Sequence, residues 1–156
     1  MLGDVLVGLE NLPGSGTIRT STIVYPIVNA LHILGISLLV GSIISLDLYV
    51  IGVRETREWR SRTTFLSKVA AVGLVIAIGT GILLFSVRAT QYAQDPAFQV
   101  KAALMLFAVL NIVFFHSRMR IRPRVIPDML LKGSAAASAI LWTSVIFAGR
   151  WIAFTN

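Results

Sequence analysis

Tyr25 to Asp47 reads YPIVNALHILGISLLVGSIISLD, a long apolar run with one histidine, His32, well inside it. A soluble domain has no use for such a run, whereas a helix of about 20 apolar residues matches a bilayer. An ionisable side chain inside a span is costly and marks a candidate functional site. The chain has one other histidine, His116, and it closes a second apolar run, Val100 to His116.

The whole composition agrees with that run. Of 156 residues, 56% are hydrophobic and 13% charged, and the mean hydropathy is +0.81. Soluble domains carry about 25% charged residues. The length suits one domain of about four spans with short connections. The chain has no cysteine, which excludes disulfides, thiolate metal sites, iron–sulfur clusters and covalently attached haem. The formal charge of +7 is the ordinary arginine bias of loops between spans rather than a nucleic-acid footprint.

Around the opening run the remaining elements fall into order. Leu2, Val5, Leu6, Leu9 and Leu12 recur at helical spacing and predict a short amphipathic helix on the membrane surface. Pro13-Gly14-Ser15-Gly16 breaks it. The spans are expected at about 20–53, 64–87, 100–117 and 133–153. Thr17, Thr20 or Ser21 would cap the first, and Pro26 would sit in its first turn or kink it. Gly73, Gly79 and Gly81 in the second span and Gly133-Ser-Ala-Ala-Ala-Ser-Ala in the fourth predict close helix packing. Short connections imply antiparallel neighbours, hence an all-α, up-down-up-down four-helix bundle. Arg54 to Arg62 and Ser117 to Lys132 are the basic connections. They belong in the cytoplasm, with both termini outside the inner membrane.

Candidate site residues follow from helical periodicity. Tyr25, Asn29, His32, Leu39, Ile43 and Asp47 fall on one broad face, which argues that the polar ones face the bundle interior. Asn29, one turn before His32, would bond its ring or line its pocket. Met105, Ile112 and His116 share a face of the third span, while Asn111 points the other way and reads as a polar bridge between helices. Asp47 needs a partner, and Arg54, Arg118 and Arg120 are the candidates for an ion pair; the alternative reading is a proton- or quinone-contact group.

Two intramembrane imidazoles point to b-type haem, since neutral imidazole is an axial ligand and bundle cores hold haem. Arg150, with Arg88 and Lys101, would hold the propionates or lipid heads. A single iron bound by both rings needs them at one depth. His116 lies about 22 Å below Lys101 at 1.5 Å per residue; His32 lies about 22 Å deep if its span enters at Thr17, and about 9 Å if it enters at Pro26. Thioether and imidazole on one face also suit copper, through Met105 and His116.

The residues Tyr25-Pro26, His32-Ile33-Leu34-Gly35, Gly41, Asp47-Leu48 and Gly52, with Asp95-Pro96-Ala97-Phe98, Lys101, Asn111 and Phe115-His116, resemble a family of small bacterial four-span membrane proteins of unknown function. The histidine–glycine pattern of the first span is similar to copper-resistance D-type proteins and to the membrane protoporphyrinogen oxidase that binds b haem. In those a first-span histidine is the ligand candidate, and His32 is the position that matches.

The chain is therefore expected to be a membrane b-type cytochrome-like protein passing electrons, with quinone as a possible exchange partner. His32 and His116 are the expected iron ligands, and Asn29 and Arg150 the expected cofactor contacts. A cofactor-free accessory subunit of a larger membrane complex, a copper-handling protein and a homo-oligomer stay open. No catalytic nucleophile–base pair, phosphate loop or zinc motif is present.

Overall fold

In the computed structural model, residues 2–11, 13–52, 59–121 and 127–155 are described. Expectations placed on Leu12, Arg54, Arg57, Arg122 and Arg124 lie outside them. The described residues form helices α1 (Leu2–Glu10), α2 (Pro13–Thr20), α3 (Val24–Gly52), α4 (Trp59–Ser86), α5 (Ala89–Gln94), α6 (Pro96–Ile121) and α7 (Met129–Thr155). The long helices α3, α4, α6 and α7 are each long and apolar enough to cross a bilayer. This is a multi-pass, all-α membrane protein.

Local chemistry explains the boundaries. Ser21 Oγ accepts from the backbone N–H of Ile23 at 3.3 Å and Val24 at 3.1 Å, so Ser21 is the candidate that caps α3. Pro13 opens α2, where its missing N–H costs nothing, so the Pro-Gly-Ser-Gly break is followed at once by a new helix. Arg88 to Phe98, between the expected second and third spans, contains α5 and the start of α6. Asp95 Oδ1 accepts from Ala97 N–H at 2.8 Å, a cap that extends α6 one turn before the expected start at residue 100. α1 is tied to α5: Glu10 Oε1 accepts from Thr90 N–H at 2.8 Å and from Thr90 Oγ1 at 2.7 Å.

Packing between spans relies on small residues, because lipid tails are as apolar as leucine and helix association depends on close fit. A Cβ on Gly73 would lie 2.5 Å from Leu39 N, and one on Gly35 would lie 2.8 Å from Ala77 N. The α3 and α4 backbones therefore cross where both present glycine. On α7, Ser134, Ala135, Ser138 and Trp142 are buried, which puts its small-residue stretch inside. Trp142 packs with Leu39, Val40, Ile43, Ala70 and Ala108. Leucine, isoleucine and phenylalanine cover the outside; Ile33, Phe65, Leu106 and Phe147 are all exposed, as lipid-facing residues are.

The ring of four helices is not closed evenly. α3 packs on α4 and on α7, and α6 packs on α7, whereas the described backbones of α4 and α6 stay apart and are bridged by side chains such as Phe85 and Phe98, whose ring centroids are 5.2 Å apart. The seam between them holds the two cavities described next.

Candidate functional site

The larger cavity, about 540 Å³, lies at the α5 end of the bundle and is lined from all four spans and from α5. His32 reaches it from α3 through a defined hydrogen bond: its Nδ1 is 2.9 Å from Thr80 Oγ1. Thr80 donates its own hydroxyl proton to the Ile76 carbonyl at 2.6 Å. With that proton committed, the Thr80 oxygen is an acceptor, so the ring is the donor through Nδ1–H. A neutral imidazole protonated on Nδ1 carries its lone pair on Nε2. The Cε1 edge of the ring approaches α4 closely where residue 81 is glycine: a Cβ there would be 3.1 Å from His32 Cε1.

Opposite His32 stands Lys101 of α6, part-buried in the same cavity. Gly149 lies beside it, where a Cβ would sit 3.4 Å from Lys101 Nζ, in ordinary contact. No carboxylate pairs with Lys101 among the described residues. Met105, one turn further along α6, also lines the cavity. The α5 end is walled by three stacked rings: Phe85 and Phe98 centroids are 5.2 Å apart, Tyr92 and Phe98 5.9 Å, and Phe85 and Tyr92 6.3 Å. The cavity thus offers flat apolar walls, one imidazole lone pair, one thioether and one cation. Pockets of this size take drug- to cofactor-sized ligands.

Of the expected site residues, His32 and Asn29 line this cavity. Arg150 does not: its guanidinium lies 5.3 Å from the centroid of the Phe154 ring. Lys101 occupies the place expected of Arg150. His116 is elsewhere. It borders a second cavity of about 250 Å³ with Asp47, Ser67, Asn111 and Ser138, and its Nδ1 bonds the Ile112 carbonyl at 3.0 Å. Since α3 begins at Val24, His32 sits about 12 Å into its helix, while His116 sits about 30 Å along α6 from Pro96, at 1.5 Å per residue. The two imidazoles line separate cavities and do not converge on one point. The Met105–His116 pairing fails in the same way. Their shared face holds, but eleven residues put them about 16 Å apart along α6, in different cavities. Among the described residues no cluster of three or more His, Asp or Glu forms.

Two other expectations resolve differently. Asn111 does bridge helices: its Nδ2 donates to the Ser134 carbonyl at 2.9 Å and its Oδ1 accepts from Ser134 Oγ at 2.8 Å. Asp47 finds no arginine among the described residues. Arg118 is bound to Asp128 at 3.0 Å instead, and the Asp47 carboxylate is hydrogen-bonded by Ser138. Thr80, Tyr92 and Phe85 are site residues that sequence reasoning missed. Thr80 is 48 positions from His32, and nothing local to either residue signals the bond.

The family model of DUF6644, a family of unknown function, matches residues 16–155. The chain belongs to that family. The matched region takes in all four spans and both cavities. No curated protein and no solved structure matches the chain.

Proposed function

We propose that this protein is a b-type cytochrome-like electron carrier of the inner membrane, holding one haem in the His32 cavity. The observation that carries the reading is the His32–Thr80 hydrogen bond at 2.9 Å. Metal-bound histidines donate their second ring N–H to an acceptor that fixes tautomer and orientation, and Thr80 leaves the Nε2 lone pair for iron. Met105, which lines the same cavity, would supply the second iron ligand, and a His/Met pair would raise the potential relative to two histidines. Lys101 would pair with a propionate, and Phe85, Tyr92 and Phe98 would border the macrocycle. Bound there, the haem would supply a one-electron couple. The protein's part is to supply the ligands, neutralise one propionate and keep the site largely dry. By the basic connections, the His32 cavity lies toward the outer face and the His116 cavity toward the cytoplasm.

The open α4/α6 seam favours a second reading, an accessory subunit whose partner helix fills that seam. Haem titration separates the two. Purified protein stripped of any haem should bind one equivalent saturably, with His32→Ala and Met105→Leu each impaired and His116→Ala unaffected. Absence of saturable binding by the wild type would reject the cytochrome reading and leave the accessory subunit.

A further inference from the structure

The smaller cavity has polar chemistry that nothing above uses. We propose that it binds the head group of a hydroquinone, entering from the bilayer through the α4/α6 seam and held by Asp47 and His116. The proposal concerns different residues from the haem site and does not rest on it.

Asp47 is the starting point. It is 2% exposed, and its Oδ2 is buried with no hydrogen-bond partner among the described residues. A buried carboxylate oxygen without a donor is costly, and a ligand hydroxyl in this cavity would relieve that cost. Neither Trp142 Nε1 nor Arg118 Nε, each buried without a partner among the described residues, bonds Asp47. Asn111 and Ser134 satisfy each other, and Arg118 is held by Asp128. His116 supplies the second acceptor. A backbone carbonyl only accepts, so the 3.0 Å contact with Ile112 O places a proton on Nδ1. In the neutral ring Nε2 is then an acceptor.

The cavity therefore presents two acceptors within apolar walls from Leu39, Ile43, Leu74 and Phe115. Its ligand must donate hydrogen bonds and otherwise be apolar. A hard metal ion does not fit, since it takes about six or more oxygen ligands and the lining offers one carboxylate, two serine hydroxyls and a committed amide. At about 250 Å³ the space suits a single substituted ring rather than a macrocycle. A neutral dihydroxy ring on an apolar tail meets each requirement and dissolves in the bilayer that the seam faces.

The test is equilibrium binding of a short-tailed benzoquinol, kept reduced under anaerobic conditions, to the full chain in detergent. Saturable one-site binding is expected, with the corresponding quinone, which has no hydroxyl donor, binding more weakly. Asp47→Asn should loosen quinol binding by about 10-fold or more, the scale of a hydrogen bond to a charged group. Ala71→Phe, which narrows the cavity from α4 without removing a polar group, should abolish it in a protein of unchanged helicity. Thr143→Val, which removes a hydroxyl bonded to the Ala139 carbonyl of its own helix at 2.7 Å, should bind quinol like the wild type. Non-saturable partitioning, equal affinity for quinol and quinone, or wild-type affinity in both Asp47→Asn and Ala71→Phe would overturn the proposal.

Discussion

His32 Nδ1 and Thr80 Oγ1 lie 2.9 Å apart, and this bond joins the only histidine of the α5-end cavity to a hydroxyl that already donates to its own helix. Orientation of the ring is thus built into the α3–α4 crossing before any ligand arrives. Thr80→Val keeps the shape and removes the acceptor. Haem affinity is expected to fall about 10- to 100-fold, the range for loss of a partner behind a metal-bound histidine. Thr143→Val is the control, because Thr143 makes the same kind of bond to Ala139 at 2.7 Å with no histidine involved. Haem titration of the two variants side by side is the measurement.

Gly73 and Gly79 share a helix but not a role. A Cβ on Gly73 meets the Leu39 backbone at 2.5 Å, whereas one on Gly79 meets nothing within 4 Å. Gly73→Ala should destabilise the protein by about 1–3 kcal/mol, as overpacking does. Gly79→Ala should be neutral or slightly stabilising, since alanine is the better helix former. Thermal unfolding in detergent reads both; equal midpoints would contradict the close crossing.

The α1–α5 contact is expected to depend on pH. The Thr90 backbone N–H, and then its hydroxyl, hold the Glu10 carboxyl below its ordinary value of 4.5. A depressed carboxylate stabilises the folded contact fully above its unfolded value and loses that contribution as pH falls through the lower, folded one. Protection of α1 from proteolysis or hydrogen exchange should therefore be constant above about pH 4.5 and fade below it. Glu10→Gln should show weaker protection without that acid transition.

Asn111 and Ser134 exchange two hydrogen bonds between α6 and α7. A double-mutant cycle of Asn111→Ala and Ser134→Ala should give a coupling energy of about 0.6–2 kcal/mol, the range for polar pairs between membrane helices. A value near zero would mean that the pair is spectator to the packing.

The fold was legible because each span announces itself by length and apolarity, and because glycines and small residues sit where helices cross. The cavity side of α3 was legible from periodicity: Tyr25, Asn29 and His32 do share its lining. Depth was not legible. It turns on whether α3 starts near Thr17 or near Pro26, and Ser21, with its oxygen at 3.1 Å from Val24 N, decides that only in three dimensions. Partner choice was hidden for a related reason. Arg118 was a reasonable partner for Asp47 by level, but Asp128, ten residues on, reaches it first. Arg150 and Lys101 both lie near the α5 end by sequence, and only the side-chain direction distinguishes them.

The central claim is that His32 presents a free lone pair to a haem-sized cavity. The direct measurement is the visible spectrum of the protein purified from haem-replete cells, oxidised and then dithionite-reduced, beside His32→Ala and His116→Ala. A sharp reduced α band is expected in the wild type and in His116→Ala, and lost in His32→Ala. A colourless wild type, or a band that survives His32→Ala and vanishes in His116→Ala, would contradict it.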